Sequence, residues 1–289
     1  MTGIGDASTV GAFGARKSSM SLVAVMTGVS LACMAQPSQA GDYFSPTDDH
    51  VSVSLGAMFL SSNTRVRADS SEGVAGTDIS GEDQFGLPRS SIEPKFEATV
   101  RVDTRQRLSF DYFTLDRSGS KVVTGSDIVF RNVVFIPGDP LQAKLSLRTL
   151  GITYEYSFWH SETLEIAATL GLHSTDISTT AKVDTATRHI IQDEDQAGPI
   201  PTVGINSTWV ASKRFYFNAR AQYLTAHIQN ISGSLGIYEL NALYRLRPNV
   251  AFGVGYSAIR AHLDSGQSSQ AGEFTFNTSG PELFVRVAF

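Results

Sequence analysis

The chain has almost no cysteine, no long apolar run and little charge, and each shortage removes a class of protein. Its one cysteine, Cys33, lies near the start of 289 residues, so no intrachain disulfide is available to staple a small secreted scaffold. No stretch approaches the roughly 20 consecutive apolar residues of a membrane helix. Charged residues make up 18% of the chain, against about a quarter in an ordinary soluble domain. Acidic residues outnumber basic ones, 28 to 23, and the net charge of -5 argues against nucleic acid as a partner. The 6 histidines are scattered with no close pair, so the chain offers no metal-ligand spacing, and no metal or cofactor is expected. Heptads, low-complexity tracts and tandem repeats are also missing.

The N-terminal residues have the layout of an export signal. Arg16 and Lys17 precede the apolar run from Leu22 to Ala35, and Pro37 leads into the small-residue pattern Ser38-Gln39-Ala40. Cleavage is expected after Ala40, which makes residues 1–40 a signal peptide and removes Cys33 from the mature chain. Ser30-Leu31-Ala32-Cys33 only loosely matches a lipoprotein box, because Ser30 sits where a large aliphatic residue belongs. About 250 residues then remain, enough for one barrel or two small soluble domains.

What fills those residues is alternation, the mark of half-buried strands. Val51, Val53, Leu55, Ala57 and Phe59 alternate with Ser52, Ser54 and Gly56. The same period recurs near residues 95–102, 108–112, 141–158, 164–173, 201–209, 215–223, 238–246, 250–258 and 281–289. Within 141–158 the apolar phase slips from Leu147 to Leu150, and a bulge near Arg148 and Thr149 is expected. Short turns (103–106, 160–163, 212–213, 247–249) alternate with longer links (62–91, 117–139, 176–198, 229–234, 261–279). Tyr154, Tyr156, Phe158, Trp159, Phe215, Phe217, Tyr244, Phe252 and Phe289 cluster beside the short turns, as an interfacial aromatic girdle would. In the last strand Pro281, Leu283, Val285, Val287 and Phe289 share one face, while Glu282, Phe284, Arg286 and Ala288 share the other.

This pattern predicts an all-β fold, an antiparallel transmembrane β-barrel with short periplasmic turns and longer extracellular loops. Ten strands are expected, or eight if the weak first hairpin stays out of the wall. Residues 41–50 would form a periplasmic N-terminal segment and 51–289 the barrel. Phe289 would act as the C-terminal assembly signal.

Several segments resemble small outer-membrane β-barrel proteins of Gram-negative bacteria. They are Phe110-Asp111-Tyr112-Phe113-Thr114-Leu115-Asp116-Arg117-Ser118-Gly119, Tyr154-Glu155-Tyr156-Ser157-Phe158, Gly171-Leu172-His173, Pro199-Ile200-Pro201 and Gly280-Pro281-Glu282-Leu283. The likeness covers most of residues 95–289. It implies an outer-membrane location and carries over no catalytic residue. The partners expected are outer-membrane lipid and lipopolysaccharide and the barrel-assembly machinery.

Inward parity falls on Lys95, Glu97, Arg101, Asp111, Glu155, Glu165, Arg220, Glu239, Arg245, Glu282 and Arg286. The signs are mixed, whereas an ion-selective pore lines up one sign. In a narrow barrel such charges have to be paired. The expectation is a structural or surface-interaction barrel with a side-chain-filled lumen, not an enzyme. A narrow solute channel is the alternative, suggested by room at Gly204, Gly253, Gly255 and Ser257. An outer-rim hydrolase would draw on His173, Ser174, Asp176, His227, His262 and Asp264. The chain shows neither the paired-Asp and His-Asp arrangement of outer-membrane proteases nor the His-x-Ser of lipid A deacylases. The acidic runs Asp48-Asp49 and Asp193-Glu194-Asp195 are expected to be solvated, with cation bridges to lipopolysaccharide phosphates as the sharper option.

Overall fold

The computed structural model describes residues 46–47, 49–70, 75–185, 189–228, 231–266 and 271–289. The expected signal peptide, Cys33 and Asp48 lie outside them. The described residues belong to the unit Asp42–Phe289. Its strands are β1 (Val51–Ala68), β2 (Ile79–Ser80), β3 (Ser90–Asp103), β4 (Gln106–Val122), β5 (Ile128–Phe130), β6 (Val133–Phe135), β7 (Pro140–His160), β8 (Leu164–Asp184), β9 (His189–Val210), β10 (Phe215–Ile228), β11 (Ile231–Arg247), β12 (Val250–Ser265) and β13 (Gly272–Ala288). In the order β1-β3-β4-β7-β8-β9-β10-β11-β12-β13, each strand pairs with the next. β13 returns to pair with β1 from Ser52↔Ala288 to Ala68↔Gly272 and closes the sheet. The wall therefore has ten strands, and the first hairpin is part of it.

Closure is a physical requirement here. An open edge in hydrocarbon would leave a row of unpaired backbone groups. The Phe289 backbone completes the seam, its N–H donating to Val51 O at 2.8 Å while His50 N–H donates to Phe289 O at 2.9 Å.

Period two assigns every wall residue to lipid or lumen. Leu55, Ile152, Leu170, Leu172, Val203, Ile205, Leu240, Val254 and Leu283 are exposed on the outer face and circle the barrel as an apolar band. Trp159, Trp209, Phe215, Phe217, Phe252 and Phe289 border it on the short-turn side, and Tyr223, Tyr238 and Tyr256 on the other. Trp209 stacks on Phe217 at 5.4 Å and Phe215 meets Tyr244 at 4.9 Å.

The expected bulge near Arg148 is absent. β7 pairs one-for-one with β8 through Arg148↔Asp176 and Thr149↔Thr175, and with β4 through Thr114↔Arg148. Geometry stays in phase while the surroundings invert. Leu150, Ile152 and Tyr154 point outward to lipid, whereas Leu141, Ala143, Leu145 and Leu147 point inward into a core that lies beyond the band. The register shifts that do occur, at Ser157/Trp159, Arg101/Asp103 and Arg245/Arg247, sit beside the short turns.

Much of each long link proves to be strand. β7, β8 and β9 run 21, 21 and 22 residues, roughly twice the 9–11 that a tilted strand needs to cross a bilayer. Outside the band the barrel cannot rely on lipid, so it builds a water-soluble core. Segment 75–89 and the β5–β6 hairpin fold over the mouth, where Ile79, Phe85, Phe130 and Phe135 bury against Leu141, Leu145 and Val183. Phe85 meets Phe130 edge to face at 6.3 Å.

Candidate functional site

The charged lumen begins at the short-turn end. Asp49 sits between Arg245, at 3.4 Å, and Arg286, at 3.6 Å, with a side chain only 5% exposed. The expectation of a solvated acidic run fails for Asp49, which plugs the mouth as a counter-ion. Burial pushes its carboxyl above the usual range, against the pull of Arg286 and Arg245. Arg245 also lies over the Tyr216 ring, 5.7 Å from its centre. The side chains of Asp193, Glu194 and Asp195 lie outside those described.

Above this pair the charges interlock. Glu165 accepts from Arg101 and Arg107, each at 3.0 Å. Arg107 continues to Glu155 at 2.9 Å, and Asn206 donates to the same carboxylate at 2.9 Å. Arg220 binds Glu97 at 2.7 Å and lies 3.7 Å from Glu239. Lys95 bridges Glu239 at 2.7 Å and Glu282 at 3.1 Å, and Ser257 donates to Glu282 at 2.8 Å. Alternation on β3, β4 and β7 to β13 aims all of these inward. Among the described residues Asp111 stands apart, with one long ion pair of 3.9 Å to His173.

Four further charges take part that alternation does not place in the inward set. Arg107 falls between the short turn 103–106 and the alternation that begins at Leu108, although its parity matches Ser109 and Asp111. Asp49 precedes the first strand. Arg117 and Glu82 fall in the long links 117–139 and 62–91, yet they form a fully buried pair that ties segment 75–89, part of the plug over the outer mouth, to β4. Arg117 also donates to Thr64 Oγ1 at 2.8 Å and to Pro88 O at 2.9 Å. Only long-range contact, not local pattern, could have joined them.

The room expected along one wall is occupied. A side chain at Gly253 would collide with the Phe284 ring, one at Gly255 with Asn241, and one at Gly204 with the β10 backbone. Ser257 is engaged by Glu282.

The histidine candidates do not converge. His173 is buried inward, 3.2 Å from Thr202 Oγ1, while Ser174 and Asp176 point outward on the same strand. His262 is exposed and hydrogen-bonds Thr275 Oγ1 at 3.0 Å, and Asp264 is exposed as well. The His227 side chain lies outside those described. Among the described residues no cluster of His, Cys, Asp or Glu forms a metal-binding group.

No family profile matches the chain, and no curated protein matches it in sequence. Solved structures do match in fold. The outer membrane protease OmpT from Escherichia coli superposes with a TM-score of 0.55 at 10% identity, over 84% of this chain and 98% of that one. The Pseudomonas putida toluene transporter TodX gives a TM-score of 0.35 at 8% identity, over 83% and 90% of the two chains. Ail of Yersinia pestis gives 0.33 at 8% identity, over 81% and 97%. The closed ten-strand wall and its lipid-facing band give this chain the fold of an outer-membrane β-barrel. Within that class the proteins it resembles differ in role.

Proposed function

We propose that this barrel is closed along its axis and acts at the cell surface, in a structural or interaction role. The observation that carries the reading is the stack of obstacles in the lumen. The Asp49–Arg245–Arg286 cluster, the Arg/Glu/Lys network and the apolar plug follow one another from the short-turn end to the outer mouth. Each charge in the network already has a partner, so no row of one sign is left to conduct ions. The scattered histidines and carboxylates support a non-enzymatic role. The lipid-facing band and the Phe289 seam fit the partners expected, outer-membrane lipid with lipopolysaccharide and the assembly machinery.

Planar-bilayer recording on the refolded barrel tests this. We expect a silent membrane. Reproducible single-channel conductance, with an ion selectivity altered by Glu239→Ala, would overturn the closed-barrel reading in favour of a narrow channel.

A further inference from the structure

The barrel wall has a seam that does not zip. β9 and β10 pair only from Tyr216↔Val210 to Tyr223↔Val203. Beyond that point β9 continues along β8 to Asp184↔His189, and β10 continues along β11 to Ile228↔Ile231. The cause lies in Pro199 and Pro201. The β8–β9 ladder runs past both without interruption, through Ser174↔Pro199 and Leu172↔Pro201. Successive residues of a strand direct their N–H groups to opposite neighbours, so the donors that proline lacks are those owed to β10. Thr225 and the residues after it lose the partners that would continue the ladder. Pro201 pairs with Leu172, the last apolar outward residue of β8 before Ser174, so the slot opens at the outer edge of the lipid-facing band. Freed backbone groups are tolerable there, whereas in mid-membrane they are not.

The slot leads to a cavity. Ile200, between the two prolines, lines an apolar space that crosses the lumen between the ion-pair layer and the plug. Met58, Phe113, Leu147, Leu235 and Phe276 wall it, and three charged groups reach it, Asp111 together with Lys95 and Glu239, which are already paired with each other. Asp111, Gly151, His173 and Ile200 are successive register partners, so the carboxylate lies level with the slot. Gly151 has no side chain to cover it, and the carboxylate rests over that glycine, 22% exposed. Its pairing with His173 is long, at 3.9 Å, which leaves acceptor positions facing the cavity.

We propose that this cavity binds a small apolar molecule bearing one donor head, an amine or hydroxyl, taken in sideways from the outer leaflet through the β9–β10 slot. The apolar body is buried by the walls, and the head donates to Asp111. The axial route plays no part, so conductance and this site are independent questions.

The test uses the refolded barrel in lipid nanodiscs, with the aromatic amine 1-aminoanthracene as probe. We expect saturable binding at one site per barrel, weakened about tenfold by Asp111→Asn, the loss of one hydrogen bond's worth of affinity. Ala261→Phe, which fills the cavity, should abolish it, and Ile259→Trp should do the same if the first variant fails to fold. A Thr202→Cys/Leu224→Cys pair, oxidised across the slot just past the last paired position and with both prolines kept, should slow uptake about tenfold or more, with recovery on reduction. Only non-saturable partition into lipid, identical in the native barrel and the filled variants, would overturn the site. Saturable binding at a rate indifferent to the cross-link would overturn the sideways route.

Discussion

At the scale of single residues, the lumen is held by charges whose removal leaves a partner stranded. Arg220 is 6% exposed and serves Glu97 directly, with Glu239 and Glu155 within 4 Å. Truncating one member of a buried pair usually costs about 3–5 kcal/mol, because the other charge stays buried and uncompensated. Arg220→Ala should therefore lower the urea midpoint of the folded barrel, and adding Glu97→Gln should recover part of the loss. A double variant no more stable than the single one would show that the pair contributes little. The expected inward set from Lys95 to Arg286 rests on the two-residue period of its strands. Arg107 shares the parity of Ser109 and Asp111 but sits one residue past a turn, and Asp49 lies outside any strand, where alternation does not apply.

At the scale of elements, the short turns and the long hairpins carry opposite expectations. Ser212 lies in the turn between β9 and β10, on the side of Trp209 and Phe215. Ser126 lies between β4 and β5, beside the plug. With the mature barrel expected to lack cysteine, a Ser126→Cys variant should react with a membrane-impermeant maleimide on intact cells, and Ser212→Cys should react only after lysis. Labelling of Ser212→Cys from outside would reverse the orientation. Alternation located all ten wall strands, but it treated the apolar phase as geometry. In β7 the phase of the backbone never changes. What changes is which side is wet, since lipid surrounds the lower half and water the upper half. A local pattern reports the contrast between two faces and not which face is inside.

At the scale of the whole molecule, closure is the property that matters most. The seam between β1 and β13 turns a sheet with two edges into a wall with none, and the Phe289 backbone makes the last bonds of that seam. Folded barrel should migrate faster than heat-denatured chain in cold detergent gels, and deleting Phe289 should reduce the fast-migrating fraction and the amount recovered in the outer membrane. Undiminished assembly without Phe289 would remove the role given to that residue. The sequence by itself determined the class of fold and which residues of a strand share a face, while closure of the sheet decided for ten strands over the alternative of eight. The first two follow from the two-residue period of a strand and the exclusion of unpaired backbone from hydrocarbon, both of which act within a few residues. The folded structure alone decided the rest. The Arg117–Glu82 clamp, the plug over the mouth, the Phe284 ring over Gly253 and the unzipped β9–β10 slot join residues far apart in the chain. Their energies depend on distance in space, and no period along the sequence records it.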